Sequence, residues 1–224
     1  MKIIDQSWEW VQTSVEPLKL IETAGRTCYK SEDKLSADSA NRLLRGLLKS
    51  GHHSVFEHAS ASVRVVCDRG ISHEIVRHRL CAFSQESTRY ANYAKDKFGQ
   101  EITVIRPFFW ATGSEAYDTW KNQMESAERA YLNLIAGGAS AQEARSVLPN
   151  SLKTEIVMTA NMREWRHIFK LRCAGASHPQ IRQVMLPLLD RFRQEVAVLF
   201  DDLYAEFQSD IQRFAATAAL GPCT

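Results

Sequence analysis

The sequence lacks the features that mark secreted, membrane-spanning and classical dinucleotide-binding proteins. It has no C-x-x-C pair, and its five cysteines are odd in number and scattered, so neither a disulfide framework nor a structural zinc site is indicated. No apolar run approaches the ~18 residues that span a bilayer, and no apolar signal segment follows Met1-Lys2. G-x-G-x-x-G and Walker A patterns are also absent. We therefore expect a cytoplasmic protein that binds any nucleotide without a Rossmann loop. The cysteines are Cys28, Cys67, Cys81, Cys173 and Cys223.

The chain also has little net charge. Its 28 basic and 26 acidic residues give a formal charge of +2, which is too small for a generic nucleic-acid or membrane binder. A hydrophobic fraction of 45% over 224 residues is enough for one large core. We expect residues 1–224 to form a single soluble domain.

The hydrophobic pattern predicts helices over residues 37–49, 71–78 and 115–135, and another from Pro179 to about Phe207. Alternation predicts strands over residues 59–67 and 152–159, and a short strand over 102–105. This order is not a βαβ alternation. It predicts an α+β fold, with a mixed, mostly antiparallel sheet flanked by long helices and no Rossmann loop.

Several local features refine these helices. Asn161 and Glu164 have the spacing of a capping box, which predicts a helix that buries Trp165, Ile168 and Phe169. In the 115–135 helix, Leu134 is predicted to lie on the buried stripe with five other residues: Tyr117, Trp120, Met124, Ala127 and Tyr131. The long C-terminal helix is predicted to bury its own stripe and to kink near Pro187.

The densest polar segment runs from Arg77 to Tyr90. It begins Arg77-His78-Arg79 and continues through hydroxyl and amide side chains to Arg89. Guanidinium groups bind phosphate bidentately, so this segment indicates a pocket for an anionic, nucleotide-like ligand. A solvated charged face at a helix end is the alternative interpretation.

A second polar cluster, Gly51 to His58, holds three histidines and Glu57. A zincin site needs two histidines four residues apart, whereas the spacings to His58 are five and six, and Glu57 precedes it. The match to a metal site is therefore weak, and no metal is expected. A polar turn before the strand and a ligand-binding turn are the other interpretations.

A third cluster follows Asn161. A helix N-terminus offers free N–H groups to an anion, and Arg163 and His167 share a face four residues apart. Arg166 and Lys170 are interpreted as part of a solvated stripe. For Arg163, His167 and Arg172, a solvated stripe and a binding site both remain open. No hydrolase constellation is found, because Ser54 and Ser87 lack the G-x-S-x-G context and Cys81 fits a packed position.

Four segments, in chain order, resemble the motifs of the flavin-dependent thymidylate synthases. The Arg77-His78-Arg79 segment, with its Ser-Gln-Glu-Ser-Thr-Arg-Tyr continuation, resembles that family's signature. The other three are His52-x-Ser54-x-x-Glu57-His58, Arg145-x-x-Leu148-Pro149 and Asn161-x-Arg163-x-x-x-His167-x-x-x-x-Arg172. Together they cover most of residues 26–185. One departure is Ala82, which stands where the family's signature has Ser; Gln85 stands where relatives often have an acidic residue, and Glu86 is beside it.

The resemblance implies an enzyme that makes dTMP from dUMP. Methylene-tetrahydrofolate would donate the carbon, NADPH would be the reductant and FAD the redox carrier, in a homotetramer with shared flavin sites. It implies FAD contacts from Ser54, Arg77, His78, Arg79, Gln85, Asn161, Arg163 and His167. It implies dUMP contacts from Glu74, Arg77, Gln85, Glu86, Ser87, Thr88, Arg89, Arg145 and Arg172. Arg172 is the implied catalytic residue, which would favour the N3-ionised uracil, and no protein nucleophile is required.

Two other functions stay open on the sequence. One is a flavin-binding protein of the same fold that lacks methyl transfer. The other is a nucleic-acid-binding module built on the arginine-rich segments, although the small net charge argues against it.

Overall fold

The computed structural model describes residues 1–36 and 38–219, which form six strands and seven α-helices. The strands are β1 (Lys2–Ile4), β2 (Ser7–Thr13), β3 (Ser60–Asp68), β4 (Ala82–Gln85), β5 (Thr103–Ile105) and β6 (Lys153–Asn161). The helices are α1 (Pro17–Tyr29), α2 (Ser39–Lys49), α3 (Arg69–Ile75), α4 (Glu115–Ala136), α5 (Ala141–Ala144), α6 (Met162–Arg172) and α7 (Pro179–Ala219). Short 3₁₀ turns lie at Glu32–Lys34, His53–His58, Asp96–Phe98 and Arg145–Val147.

The main sheet has four strands in the order β2-β3-β6-β4, and every pairing in it is antiparallel. A second, two-stranded sheet pairs β1 with β5 in parallel. The predicted α+β fold with a mostly antiparallel sheet is confirmed. No helix in the described part of the chain is long and apolar enough to cross a membrane.

The central pair, β3 and β6, forms the floor of the main core. All nine residues of β3 pair with β6, and Val63 lies opposite Met158. Because side chains alternate between the two faces of a strand, the predicted inward set from Ala59 to Cys67 lies together and is buried. The buried face packs with α6 and α7, and rings of Trp165, Phe169 and Phe192 meet there.

Both helices that carry site residues are capped at the ends of these strands. Asp68 ends β3, and its Oδ1 accepts from the backbone N–H of Ile71 at 2.7 Å, which starts α3. Asn161 ends β6, and its Oδ1 accepts from the backbone N–H of Glu164 at 2.9 Å, which starts α6. Since β3 and β6 are antiparallel, α3 and α6 begin at opposite ends of the pair and meet through their C-terminal residues.

Helix α7 begins at Pro179, as predicted, and its predicted stripe is buried. The helix runs on to Ala219, beyond the predicted end near Phe207. Its backbone leaves helical geometry at Val196, where φ is −142° and ψ is 59°. This break is not at Pro187, whose backbone stays helical, and the predicted kink at Pro187 itself stays a prediction. Pro187 lies near the start of the helix and removes a single backbone donor, which the packed first half tolerates.

A second, smaller core forms under α4, where Tyr117, Trp120, Met124 and Tyr131 are buried. The prediction for Leu134 is wrong, because its side chain is 39% exposed. Ile135 and Leu132 pack against this cluster instead. In the last turn of α4, Ile135, four residues after Tyr131, therefore faces the core. Leu134, three residues after it, does not.

Most predicted boundaries differ from the observed ones by a few residues, but the end of α7 differs by about 12, and β4 and α5 were not predicted. The predicted helix over 71–78 is α3, which begins at Arg69 and ends at Ile75. Strands β1 and β2 and helix α1 have no counterpart in the predictions, although β2 buries parts of Trp8 and Trp10 against the core. Position 37 of the predicted 37–49 helix and Cys223 lie outside the described residues.

Candidate active site

Arg172, the last residue of α6, is held by three hydrogen bonds. Its Nε–H donates to His78 Nε2 at 2.9 Å, and Nη1–H donates to Glu74 Oε2 at 2.8 Å. Nη2–H donates to the backbone oxygen of Glu74 at 3.0 Å. The side chain is 19% exposed, and these bonds use three of the five guanidinium N–H donors. A cation at the C-terminal ends of two helices is also favoured by both helix dipoles.

The contact with Arg172 determines which ring nitrogen of His78 carries the proton. A guanidinium only donates, so His78 Nε2 must accept with its lone pair, and the ring proton is then on Nδ1. Nδ1 faces the carboxylate of Glu164, with Oε1 at 3.6 Å. Burial, together with the charges of Arg172 and His167, lowers the pKa of His78 to about 4. The ring is therefore neutral near pH 7.

Glu164 lies beneath this group and is almost fully buried. Burial raises the pKa of its carboxyl, while nearby His167 and Arg163 oppose that effect. Only half of the predicted capping box forms: Asn161 caps the helix, but the Glu164 side chain turns toward His78 instead. Sequence analysis assigned Glu164 to capping alone, so its place beneath the site was missed.

His78, Glu164 and His167 also bring three possible metal ligands within 4.8 Å of one another. The His78 lone pair is already taken by Arg172, and a permanent cation 2.9 Å from Nε2 disfavours a metal ion there. The cluster is therefore better described as a hydrogen-bonded support for Arg172. Within the described residues, the 51–58 segment forms no such cluster.

The second predicted segment lies beside the start of α6. Ser54 is exposed on the 3₁₀ turn His53–His58. Arg163 Nη1 donates to Glu57 Oε1 at 2.6 Å, and the Met162 N–H donates to the Ala59 oxygen at 2.8 Å. These contacts hold the turn that carries Ser54 against the start of α6, where Asn161 caps the helix and Arg163 and His167 lie four residues apart.

A polar cavity of about 580 Å³ lies on the other side of α3. Thr88 and Arg145, both predicted substrate contacts, line it together. Arg69 and His73 also line it, and sequence analysis did not single them out. His73 directly precedes Glu74, so consecutive residues of α3 serve this cavity and Arg172. No local signal in the sequence marks Arg69 or His73, because their place in this cavity depends on the tertiary fold.

Two other residues of the signature segment, Gln85 and Glu86, form hydrogen bonds with different parts of the structure. Gln85, at the end of β4, donates through Nε2 to Ser72 Oγ at 2.9 Å and Thr154 Oγ1 at 3.2 Å. Glu86 accepts from Lys153 Nζ at 3.1 Å and from the Tyr93 hydroxyl at 3.2 Å. Glu86 lines a separate cavity of about 320 Å³, which Thr88 and Arg145 do not line.

Arg77, Arg79 and Arg89 are exposed around the same segment. Arg89 lies 5.5 Å from the centroid of the Tyr90 ring, and its backbone N–H donates to Ser87 Oγ at 3.3 Å. Among the described residues, Ser87 makes no hydrogen bond to a general base, in keeping with a hydroxyl that binds rather than attacks. Burial raises the pKa of the Cys81 thiol to about 12, so this cysteine is not an activated thiolate.

One interpretation of the α6 cluster is wrong. Arg166 is not part of a solvated stripe: its side chain is 13% exposed and forms a bidentate pair with Asp202, at 2.8 and 2.6 Å. It also donates to the Leu199 oxygen. Arg166 points toward α7 because its position on α6 lies next to the buried Trp165 face. It joins α6 to α7, whereas Lys170 is exposed, as expected.

The family model and similar relatives point to the same protein family. The profile of the family described as thymidylate synthase complementing protein matches residues 9–197. A flavin-dependent thymidylate synthase of Geobacter sulfurreducens is 32% identical over 199 residues, which are 86% of this chain and 84% of that protein. One from Pyrococcus furiosus is 30% identical over 204 residues, 91% of this chain and 78% of that protein.

A solved structure has the same fold. It is described as the UMP/dUMP methylase PolB of Streptomyces cacaoi bound with 5-Br dUMP, with a TM-score of 0.74 and 24% identity. The alignment covers 92% of this chain and 98% of that chain. At the level of the family, the comparisons confirm the resemblance stated above and the expectation of a methyltransferase. The chain belongs to the flavin-dependent thymidylate synthase family.

Proposed function

We propose that this protein makes dTMP from dUMP, with methylene-tetrahydrofolate as carbon donor, NADPH as reductant and FAD as the redox carrier. The observation that carries the proposal is Arg172, a guanidinium fixed by Glu74 and His78 on a side chain that is 19% exposed. Family membership supports the reaction class. The Arg172 geometry supports a role for this chain's own residues in that reaction.

The residues present fit a flavin dinucleotide. A diphosphate needs cations and N–H donors, and the exposed Arg77, Arg79 and Arg163 supply them without a Rossmann loop. Asn161, Arg163 and His167 belong to the N-cap and body of α6, and the His78 ring lies 5.9 Å from that of His167. Ser54, on the turn whose Glu57 pairs with Arg163, and Gln85 complete the proposed FAD set. FAD would supply the redox chemistry, while the side chains bind and orient it.

The cavity of about 580 Å³ fits the phosphate end of dUMP. Arg145 and Arg69 offer cationic forks, and Thr88 and His73 offer further donors. We assign Ser87 and Arg89, which flank Thr88, to the same ligand. Glu74 and Gln85 face the adjacent core of the site, and Glu86 faces the neighbouring cavity, where it pairs with Lys153.

Arg172 acts electrostatically in this proposal. A guanidinium beside the uracil ring stabilises the negative charge of the N3-ionised form, which is more electron-rich at the carbon that accepts the methyl group. Neutral His78 holds Arg172 without adding a competing positive charge. The chain positions the reactants, and no protein nucleophile is needed.

We further propose a cytoplasmic homotetramer. Within one chain, His78 and Arg172 already join the two arginine-bearing segments, so their separation in sequence does not itself require a second copy. Support comes instead from the family and from two large apolar side chains of the signature segment, Leu80 and Tyr90, which are 78% and 77% exposed. Light scattering at micromolar concentration should give about four times the 25.4 kDa chain mass; a monomer that retains flavin would exclude the tetramer.

The deciding experiment is an assay of the purified protein. We expect a yellow protein that forms dTMP only when dUMP, methylene-tetrahydrofolate and NADPH are all present. A yellow protein whose flavin spectrum shifts with dUMP but that forms no dTMP would be a flavin-binding relative without methyl transfer. A colourless protein that cannot be loaded with FAD would contradict the proposal.

A further inference from the structure

A second cavity, of about 510 Å³, lies between α1 and α2, and the function proposed above does not use it. Three basic side chains, Arg26, Lys34 and Arg42, line it. Among the described residues that line it, none carries a carboxylate. A cavity with this charge favours an anionic occupant.

The three basic side chains of this cavity differ in their ion pairs and hydrogen bonds. Arg26 is buried, and it pairs with Glu22 at 3.0 Å; Glu22 in turn accepts from Ser39 Oγ at 2.6 Å. This network holds Arg26 in place and offsets its charge. Lys34 and Arg42 form no ion pair or side-chain hydrogen bond with any described residue. Two positive charges at the mouth of the cavity are therefore uncompensated.

The cavity is connected to the candidate flavin segment. Tyr29 lines it, and the Tyr29 hydroxyl lies 2.6 Å from His52 Nδ1, with the two rings stacked at 17°. His52 begins the turn that carries Ser54 and Glu57, and Glu57 pairs with Arg163. A ligand that reaches from the flavin across Tyr29 would therefore arrive at Lys34 and Arg42.

We propose that this cavity binds the anionic end of a co-substrate, in the first place the glutamate carboxylates of the reduced folate. This proposal rests on the proposed function. The shared chemistry is an oxyanion bound by Lys34 and Arg42, with the hydroxyls of Ser36 and Ser39 nearby. The phosphates of NADPH have the same chemistry, and the experiment separates the two sources.

The test uses the flavin-loaded enzyme and a Lys34→Gln/Arg42→Gln double variant. Losing two exposed charge-assisted contacts should raise the KM for methylene-tetrahydrofolate roughly 3- to 10-fold. The effect should be larger for the triglutamate than for the monoglutamate, and the KM for dUMP should stay within about twofold. Arg45→Gln is the matched control, because Arg45 is exposed on the same helix and does not line the cavity.

Gly46 offers a second, uncharged variant. It lines the cavity, and a Cβ built there meets nothing within 4 Å. Gly46→Leu should partly fill the cavity and raise the same KM, while helix α2 gains rather than loses stability. If both variants raise this KM, the cause is the loss of binding in the cavity. A general change of surface charge could not explain the result of the uncharged variant.

Binding is measured independently of activity by calorimetry, with folinate and NADP⁺ as probes. Weaker folinate binding by the double variant supports the folate arm, and weaker NADP⁺ binding alone assigns the cavity to the dinucleotide. Unchanged binding and unchanged KM for both co-substrates would overturn the proposal. If the wild type makes no dTMP, the proposed function fails. The calorimetry still tests ligand binding in the cavity. If neither folinate nor NADP⁺ binds, the proposal is overturned.

Discussion

Arg172 Nε–H donates a 2.9 Å hydrogen bond to His78 Nε2, so the central guanidinium of the site depends on a histidine that stays neutral. The contact joins the signature segment after α3 to the end of α6, 94 residues apart in sequence. It also orients Arg172 before any ligand arrives. Preorganised charge of this kind is what electrostatic catalysis requires.

Replacing Arg172 with Ala should lower turnover by about 10²- to 10³-fold, the size of effect seen when one electrostatic donor is removed. Flavin content and thermal stability should change little, because the side chain is part-exposed at the end of its helix. Steady-state formation of dTMP gives the measurement. Lys170→Ala, on the exposed face of the same helix, is the control. Near-normal turnover by Arg172→Ala would leave this residue a purely structural role.

The pH dependence of stability should report the neutral state of His78. Its pKa falls to about 4 in the folded protein, against about 6.5 in an unfolded chain. The unfolded state therefore binds more protons between these values, and His78 makes stability fall as the pH drops from about 6.5 toward 4. His78→Gln keeps a hydrogen-bond acceptor but does not titrate. Urea unfolding from pH 4.5 to 7.5 should show a shallower acid loss for this variant.

The comparison of two proteins is needed because other groups titrate in the same range. Burial raises the pKa of Glu164, which acts in the opposite direction to His78. The difference between wild type and His78→Gln isolates the histidine. Parallel stability curves for the two proteins would mean that His78 titrates normally in the folded state.

The sequence predicted the parts of the fold that follow from periodicity. The alternation in β3 and the stripe of α7 were correct because burial on one face repeats every second residue or every helical turn. Strand β2 was missed because its alternation is partial: Val11 sits at a register shift between Trp10 and Gln12 and is 49% exposed. The break at Val196 was missed because no proline or glycine marks it.

The candidate site was predictable where its residues are neighbours within one sequence motif. It was less predictable where the contacting residues are far apart in the sequence. Nothing in the sequence near Glu164 shows that its carboxyl turns from the helix cap to His78. Arg69 and His73 reach the Arg145 cavity only because β3 and β6 pair in register. Such contacts depend on the tertiary fold and have no local signal.

Arg166 illustrates the same limit and gives a stability prediction. Its bidentate pair with Asp202 joins α6 to α7, so Arg166→Ala should destabilise the fold by about 0.5–1.5 kcal/mol, because Asp202 is 56% exposed and water replaces part of the pair. Urea unfolding at neutral pH measures this, with Lys170→Ala as the control. Turnover per folded enzyme should stay close to wild type. An unfolding free energy equal to that of Lys170→Ala would contradict the interhelical role.

Ser87 is the residue most easily mistaken for a nucleophile, since it stands between Glu86 and Arg89 in the densest motif. Its Oγ accepts from the Arg89 N–H at 3.3 Å, while the nearest acid, Glu86, is engaged by Lys153 and Tyr93. A nucleophilic serine needs a base within hydrogen-bond reach, so a role in binding dUMP fits better. Ser87→Ala should raise the KM for dUMP by the ~1 kcal/mol of one hydrogen bond, or up to about 3 kcal/mol if its partner is charged.

Steady-state kinetics with varied dUMP gives this value, and Ser84→Ala, exposed on β4, is the matched control. The variant should retain measurable dTMP synthesis, because binding is weakened while the chemistry stays intact. Intact-mass analysis of the wild type during turnover completes the test, since a bound intermediate would add the mass of dUMP to the chain. A dUMP adduct on Ser87, together with complete loss of activity in Ser87→Ala, would replace the non-covalent mechanism with a covalent one.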